Sequence, residues 1–481
     1  MTYKQPFSTQ VSRKGFQFPL QPAQAWMAIL GLMFFSVVCI LAGVGKILNL
    51  VFPAGAFGVG VFLYVRYPIL YIGFTWWILF LTPLVRRLAD YRSGFTDPSP
   101  ILLAPYLVIL VTLATLWRHL PKTHRQGGLP FVLSLGGVLY GYLVGLIQNS
   151  AIASTTDLLN WLTPILFGFH LFVNWLNYPS YRQNIQRTFI WGALVTGIYG
   201  VVQYLVAPEW DRFWLINTEM LSAGTPEPFG IRVWSTMNGP GIFAVVMMAG
   251  LLLLFSSRGA LRLPASVAGY LAFLLSSVRS AWLGWLVGLL TLTASFNAKL
   301  QMRLIITIMV MAIAVIPLTQ IEPFSEVIYS RIETFSNLEA DGSGQERRQT
   351  YQEHLNKALT NYLGNGIGSS NSDVALDSAI LTTLYSLGWF GTIFYIFGLF
   401  LLLFKLFQSS QIRSDPLVST FRAITIGVFF QIIFGSVMLG ASGVVLWGFL
   451  GIGLAAHNYY SYQCNAHLED VENSKLKGLI M

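Results

Sequence analysis

Long apolar runs follow one another along almost the whole of this chain. About fourteen of them reach the roughly 20 residues that a helix needs to cross a membrane. These predicted spans begin near residues 25, 47, 67, 101, 130, 157, 188, 239, 265, 281, 303, 384, 420 and 439. Of the 481 residues, 54% are hydrophobic and only 10% are charged, whereas soluble domains carry about 25% charged residues. The sequence therefore predicts an all-α integral membrane protein with about 12–14 transmembrane helices.

The charges between the runs predict how the helices are oriented. With the N-terminus in the cytoplasm, most of the 29 lysine and arginine residues fall in cytoplasmic segments, as the positive-inside rule requires. The net charge of +9 is therefore read as a topology signal and not as a sign of nucleic-acid binding. The ranges expected are 1–24 (cytoplasmic tail), 25–319 (transmembrane bundle), 320–379 (large extracytoplasmic loop with short helices), 380–457 (C-terminal transmembrane helices) and 458–481 (cytoplasmic tail).

Several arginines fall on the predicted outer side, against this rule. They are Arg86, Arg87 and Arg92 near the end of one run, Arg232 in a segment that starts at Pro208, and Arg279 in a very short link. For the first three arginines, helix-end snorkelling or local pairing is as good an explanation as a functional role. Arg86 and Asp90 have the helical spacing of such a local pair. Arg232 and Arg279 stand close before long apolar runs, which favours a functional role for both.

The polar segment 320–379 is predicted to contain an amphipathic helix. Ser343 and Glu346 have the spacing of a capping box. Arg347 and His354 follow on the side of this helix that carries the apolar residues. The helix is expected to lie over the bundle, and an arginine on its packed side needs a partner.

A glycine-rich stretch, 364–372, follows this helix. It is interpreted as a flexible lid or hinge, because it lacks the lysine and the preceding strand of a phosphate-binding loop. Asp377 then stands directly before the next apolar run. It can act as a helix N-cap, face a cavity, or do both.

Most familiar enzyme signatures are missing from the chain. No Walker loop, dinucleotide fingerprint, Gly-x-Ser-x-Gly elbow or metal-ligand spacing occurs. A few carboxylates remain on the predicted outer face, together with the arginines Arg232, Arg279, Arg331 and Arg347. Guanidinium groups match phosphate oxygens in a two-point fork. These residues indicate a pocket for a phosphate-bearing lipid head and group transfer from a phosphate leaving group, without nucleotide or metal.

Motifs around the polar segment resemble those of a known family. They are Arg279 followed by Ser-Ala-Trp-Leu-Gly, Arg232 followed by Val-Trp-Ser-Thr and then Asn238-Gly-Pro-Gly, Arg347 ahead of Tyr351, Gly366-Ile-Gly368, Asp377-Ser-Ala-Ile-Leu, and Leu387-Gly-Trp-Phe-Gly391. In order and spacing they resemble the O-antigen ligase and polymerase family of bacterial polysaccharide assembly, over residues 200 to 460.

The resemblance implies a metal-independent glycosyltransferase of the bacterial cytoplasmic (inner) membrane that uses no cofactor. Its donor would be an oligosaccharide linked to undecaprenyl pyrophosphate. Arg279 and Arg347 would bind the pyrophosphate, with Arg232 and Arg331 as supporting candidates. Asp377 would be the general base that deprotonates the acceptor hydroxyl.

Ligases of this family have a histidine where this chain has Asp377, so the resemblance favours a polymerase. His354 is the alternative base. The expected partners are the lipid-linked donor, a glycan acceptor, membrane lipids and a chain-length regulator. Two alternatives stay open: a ligase that moves finished glycan onto a lipid or protein acceptor, and a transporter or flippase. The transporter predicts internal repeats and charges at the membrane midplane, and the sequence shows no repeat.

Overall fold

The computed structural model describes residues 22–124, 126–295, 301–302, 305–306, 309, 355–356, 358–369, 378–408 and 415–480, with side chains as far as 465. Within these ranges the chain is helical and forms no strand beyond one isolated bridge. The helices are α1 (Ala23–Leu41), α2 (Gly45–Arg66), α3 (Pro68–Ser93), α4 (Ala104–Leu110), α5 (Leu113–His119), α6 (Leu129–Gln148), α7 (Ala151–Val173), α8 (Tyr178–Val206), α9 (Glu209–Thr218), α10 (Pro240–Ser256), α11 (Arg262–Leu275), α12 (Arg279–Ser295), α13 (Ala379–Gln408), α14 (Pro416–Phe430) and α15 (Gly440–Ile480).

Ten helical segments of the described chain are long and apolar enough to cross a membrane. Helices α10 and α11 are apolar but shorter, and α12 has 17 residues. These helices confirm the prediction of an all-α, multi-pass membrane protein. The predicted span that starts near residue 303 and most of the segment 320–379 lie outside the described residues.

Glycines let the helix backbones approach closely where pairs of helices cross. Helices α7 and α15 meet at Gly168 and Gly451, where a Cβ atom on Gly451 would lie 2.2 Å from the carbonyl oxygen of Gly168. Helices α12 and α14 meet at Gly284 and Gly427, where the corresponding distance is 2.6 Å. Small residues at crossings are what helix association in lipid favours, because van der Waals packing drives it.

Successive spanning segments run in opposite directions, with α4 and α5 forming one segment, so their connections fall alternately at two ends of the bundle. The end called here the loop end carries the connections 42–44, 94–103, 149–150, 207–239, 276–278 and 431–439, and the start of α13. Ser93 and Gly43 illustrate the grouping, because the Ser93 hydroxyl donates to the Gly43 carbonyl at 3.3 Å. The opposite end carries 120–128, 174–177 and 257–261. The charge distribution predicts that the opposite end is cytoplasmic.

Candidate functional site

The structure describes two of the predicted site residues, and both are at the loop end. Arg232 lies in the connection 207–239, and Arg279 is the first residue of α12. The predicted site residues that lie outside the described ranges are Asp377, Arg331, Arg347 and His354. Ser378, which directly follows Asp377 in the chain, is described and precedes α13.

Arg232 joins the two connections that carry arginines. Its Nη2 donates to the carbonyl oxygen of Ser277 at 3.1 Å, and its Nη1 donates to the carbonyl oxygen of Ser222 at 2.6 Å. The backbone N–H of Val233 also donates to the carbonyl oxygen of Leu275, at 3.2 Å. Because Ser277 lies two residues before Arg279, the first residue of α12, the two arginine motifs are held side by side.

Arg279 and Ser378 are connected through the end of α14. Helix α12 lies against α14 at Gly284, about one and a half turns after Arg279, and a Cβ atom on Gly284 would be 2.7 Å from the side-chain amide nitrogen of Gln431. The hydroxyl of Ser378 lies 3.5 Å from the carbonyl oxygen of Ile432, the next residue along. Helix α12, which Arg279 opens, and Ser378 therefore both contact the end of α14, at Gln431 and Ile432.

A buried ion pair fixes the connection that carries Arg232. Nε of Arg87, on α3, lies 2.7 Å from Oδ1 of Asp211, and both side chains have no exposed surface. The two remaining nitrogens of Arg87 donate to the carbonyl oxygens of Met237 and Ser235, each at 2.5 Å. A buried ion pair is tolerated when its remaining donors and acceptors are also bonded, and these bonds meet that condition.

The side-chain amide of Gln203, on α8, also holds the connection 207–239 in place. Its oxygen accepts the backbone N–H groups of Trp234 at 3.0 Å and Ser235 at 2.8 Å, and its nitrogen donates to Asp211 at 2.9 Å. Ser235 has φ of 54°, in the left-handed region that residues other than glycine rarely adopt. These bonds hold the backbone in that conformation, and with it the neighbouring Arg232.

Arg86 forms the local pair that its spacing predicts. Its Nε lies 3.2 Å from Oδ2 of Asp90, one helical turn away. Its Nη2 donates to the carbonyl oxygen of Thr96 at 3.0 Å and lies 3.3 Å from Oδ1 of Asp97. Local pairing is thus confirmed for Arg86, whereas Arg87 makes long-range contacts instead. Each of the two arginines therefore has a structural role, which explains its position at the loop end.

The glycine-rich stretch packs into the bundle in its described part, 364–369, so its interpretation as a flexible lid or hinge is wrong there. The backbone N–H of Ile367 donates to the carbonyl oxygen of Gly141, on α6, at 2.9 Å. The N–H of Gly368 donates to a carboxylate oxygen of Asp157, on α7, at 3.2 Å. The glycines serve close backbone approach and left-handed conformations here. A run of glycines in a sequence does not distinguish that use from mobility.

Replacing Gly366 by alanine is expected to destabilise the protein by about 3 kcal/mol. Gly366 has φ of 77°, and a Cβ atom there would lie 2.3 Å from the backbone of Gly145. Thermal unfolding of the purified proteins in detergent measures the loss. The control is Gly136→Ala, on α6, where a Cβ atom would meet nothing within 4 Å. Equal unfolding temperatures for the two variants would contradict the tight packing of Gly366.

Asp157 is a carboxylate that the sequence interpretation missed. A span was expected to begin near residue 157, but α7 begins at Ala151, because the hydroxyl of Ser150 caps it by accepting a backbone N–H three residues on, at 3.1 Å. Asp157 therefore lies about 9 Å along the helix from its start, bonded to Gly368. Carboxylates inside spans usually have a function. The capping serine was the signal that could have found it.

The described part of the candidate site consists of the connection that carries Arg232 and the start of α12 with Arg279. Hydrogen bonds hold the two together at the loop end. Guanidinium groups in such a place can bind phosphate or carboxylate oxygens. No protein-family model matches this chain, and no curated protein matches it significantly.

Proposed function

We propose that the protein is a membrane glycosyltransferase. It polymerises oligosaccharide repeats linked to undecaprenyl pyrophosphate into a surface polysaccharide, at the outer face of the cytoplasmic membrane. The observation that supports this proposal is the bond from Arg232 to Ser277, which lies two residues before Arg279. Helix α12 and Ser378 also both contact the end of α14. Sequence motifs that are far apart in the chain thus meet at one end of the bundle, as a shared active site requires.

The arginines divide into two roles in this proposal. Arg279 and Arg347 bind the pyrophosphate of the donor, and Arg331 supports them. Arg232 donates to two backbone carbonyls, one of them in the connection that leads to Arg279, so we assign it to holding that connection in place. Positive charge at the pyrophosphate stabilises the negative charge that develops on the leaving group, which is usually a large contribution to catalysis.

Asp377 is the proposed general base. Its carboxylate takes the proton from a hydroxyl of the acceptor sugar while the hydroxyl oxygen forms a bond to the anomeric carbon of the donor. The bond between that carbon and the pyrophosphate oxygen breaks, and undecaprenyl pyrophosphate leaves with the bonding electrons. The attack inverts the anomeric centre. His354 is the alternative base.

Reconstitution tests this function directly. The full-length protein is placed in liposomes that contain a single repeat linked to undecaprenyl pyrophosphate. A polymerase produces a ladder of longer glycans and free undecaprenyl pyrophosphate. A ligase leaves single repeats unextended but moves preformed long glycan to an added lipid or protein acceptor. A transporter forms no glycosidic bond, and an intact donor in every condition would refute the enzyme.

Replacing Asp377 by asparagine is expected to lower the rate of chain extension by about 10²–10⁴-fold, because the amide cannot accept the proton. Asp377→His should retain partial activity, since imidazole is also a base. Asp373→Asn removes a nearby carboxylate of the same segment and serves as the control, with activity near that of the parent. Normal glycan lengths from Asp377→Asn, together with a loss in His354→Gln, would assign the base to His354.

A further inference from the structure

Three polar side chains form a chain of hydrogen bonds at the loop end. The hydroxyl of Tyr106, on α4, donates to Oδ1 of Asn160, on α7, at 2.6 Å. Nδ2 of Asn160 donates to Oδ1 of Asp157, three residues earlier on the same helix, at 3.2 Å. The other carboxylate oxygen of Asp157 accepts the backbone N–H of Gly368, at 3.2 Å. We call Tyr106, Asp157 and Asn160 the polar trio.

The negative charge of Asp157 has no counter-charge in the part of the chain that the structure describes. Asp157 lies within α7, and it belongs to none of the ion pairs between described residues. Its two described donors, the amide of Asn160 and the backbone of Gly368, are neutral. Neutral donors do not offset a full charge, and charged side chains inside spans are rare and usually functional. The charge therefore indicates a role beyond packing.

The polar trio borders a polar space and not lipid. Asp157 and Asn160 are both partly exposed, and a carboxylate within a span faces the bundle interior or a water-filled cavity. The start of α15 lies against the other side of the trio. A Cβ atom on Gly440 would lie 3.3 Å from the Tyr106 hydroxyl and 3.4 Å from Oδ1 of Asn160. A ligand at the loop end can therefore reach the trio between α15 and the stretch around Gly368.

The hydrogen-bonding capacity that the trio leaves unused identifies a class of ligand. A carboxylate can accept about four hydrogen bonds, an amide nitrogen carries two hydrogens, and a phenol oxygen can accept as well as donate. Only two bonds to Asp157 and one from Asn160 are made within the described chain. Acceptors beside a donor match hydroxyl groups, which both donate and accept. A phosphate group would be repelled by Asp157, so the ligand is a neutral group with several hydroxyls, such as a sugar.

We propose that the polar trio binds a sugar ring of the glycan substrate, with the carboxylate of Asp157 accepting hydrogen bonds from two adjacent hydroxyls. This inference rests on the proposed glycosyltransferase function, and it adds a sugar subsite to the arginines that bind the pyrophosphate. A site built to hydrogen-bond hydroxyls discriminates strongly against ligands that lack them, because its own polar groups then stay unpaired. The trio therefore selects which repeat unit is extended.

Binding of a free oligosaccharide tests the subsite without requiring catalysis. The probe is the single repeat released from the lipid-linked donor by mild acid, which carries no pyrophosphate. Calorimetric titration of the full-length protein, in a detergent without a sugar headgroup, measures its affinity. Asp157→Asn should weaken binding about tenfold, because hydrogen bonds to a charged acceptor are the strong ones. The variant should fold, since turning over the Asn160 amide restores its bonds to both neighbours, and the unfolding temperature checks this.

The matched control is Tyr142→Phe, which removes a hydroxyl of α6 that bonds to Thr155 at 3.2 Å and should leave the affinity unchanged. Tyr106→Phe removes a hydroxyl of the trio and should weaken binding about threefold. Undiminished affinity in both Asp157→Asn and Tyr106→Phe would overturn the sugar site. A second result would also overturn it: sodium chloride, compared with choline chloride, stabilises the parent but not Asp157→Asn, while both bind the oligosaccharide equally. The trio would then be a cation site.

Kinetics of chain extension separate this inference from the proposed function on which it rests. In liposomes, Asp157→Asn should raise the KM for the lipid-linked repeat about tenfold and leave kcat nearly unchanged, whereas Asp377→Asn lowers kcat. A parent protein that binds the oligosaccharide through the trio but forms no glycosidic bond would refute the enzyme and keep the sugar site. A parent that extends chains, with the same KM and oligosaccharide affinity as Asp157→Asn, would keep the enzyme and refute the sugar site.

Discussion

Replacing Arg279 by alanine is expected to stop chain extension and leave only single-repeat product. Loss of one group that stabilises charge in the transition state typically costs about 10²–10³-fold in rate. Arg279 is the first residue of α12, and its side chain is partly exposed. The packing of α12 rests on Gly284 and on apolar residues further along, so the variant should fold. The measurement is the glycan ladder from reconstituted protein, with thermal unfolding measured in parallel.

Two further substitutions sharpen this prediction. Arg279→Lys keeps the charge but loses the two-point fork that matches phosphate oxygens, so it should retain only part of the activity. Arg92→Ala removes an exposed arginine at the same end of the bundle and should leave the ladder unchanged. Equal ladders from Arg279→Ala and Arg92→Ala would show that Arg279 does not bind the donor.

The variant Arg232→Ala tests whether Arg232 binds the donor or only supports the connection that leads to Arg279. Its described bonds go to the carbonyl oxygens of Ser222 and Ser277, so its removal should lower the unfolding temperature as well as the activity. Arg279→Ala should lower the activity alone. If the two variants behave alike, with full stability and no activity, Arg232 belongs with the donor ligands and its assignment as a support is wrong.

The helices could be predicted from the sequence because an apolar run of about 20 residues is a local property. The pair of Arg86 and Asp90 could be predicted for the same reason, since both partners lie on one helix a single turn apart. The approach of Arg232 to Ser277 was not accessible in this way. It depends on how α8, α10 and α11 pack together, and no spacing rule along the chain encodes that packing.

Two interpretations of the sequence differ from the structure, each for its own reason. The glycines around Gly366 predict mobility, and the sequence does not reveal the partners on α6 and α7 that hold this stretch. Those partners are more than 200 residues away in the chain, as the separation of 211 between Gly368 and Asp157 shows. Asp157 was overlooked because an error of a few residues in the start of α7 placed it at a helix end. Helix boundaries are the least reliable part of such predictions, and here the boundary concealed a charge within a span.

Replacing Asp211 by alanine is expected to destabilise the protein by about 3–5 kcal/mol, because it leaves Arg87 charged and buried without its partner. Asp211 also accepts hydrogen bonds from Gln203 at 2.9 Å and Tyr199 at 2.8 Å, and those donors would lose their acceptor as well. Thermal and denaturant unfolding in detergent measures the loss. Activity should fall with it, because the connection that holds Arg232 is anchored to this pair.

The chain offers an internal control in the ion pair of Arg86 and Asp97. There the carboxylate is 69% exposed and lies 3.3 Å from its partner, and exposed pairs contribute about 0–1 kcal/mol. Asp97→Ala should therefore be nearly neutral in the same unfolding measurement. A small effect from Asp211→Ala, comparable to that of Asp97→Ala, would mean that water or another anion reaches Arg87 and that the pair does not anchor the connection.

A double substitution decides whether the pair acts as a unit. Arg87→Met with Asp211→Leu removes both charges, so neither is left buried alone, and the double variant should lose less stability than the sum of the two single losses. Its activity is the more informative result. Arg87 also bonds to the carbonyl oxygens of Ser235 and Met237, and these bonds shape the backbone beside Arg232. A double variant that is stable but inactive would therefore show that the pair is kept to position the site, rather than to stabilise the fold.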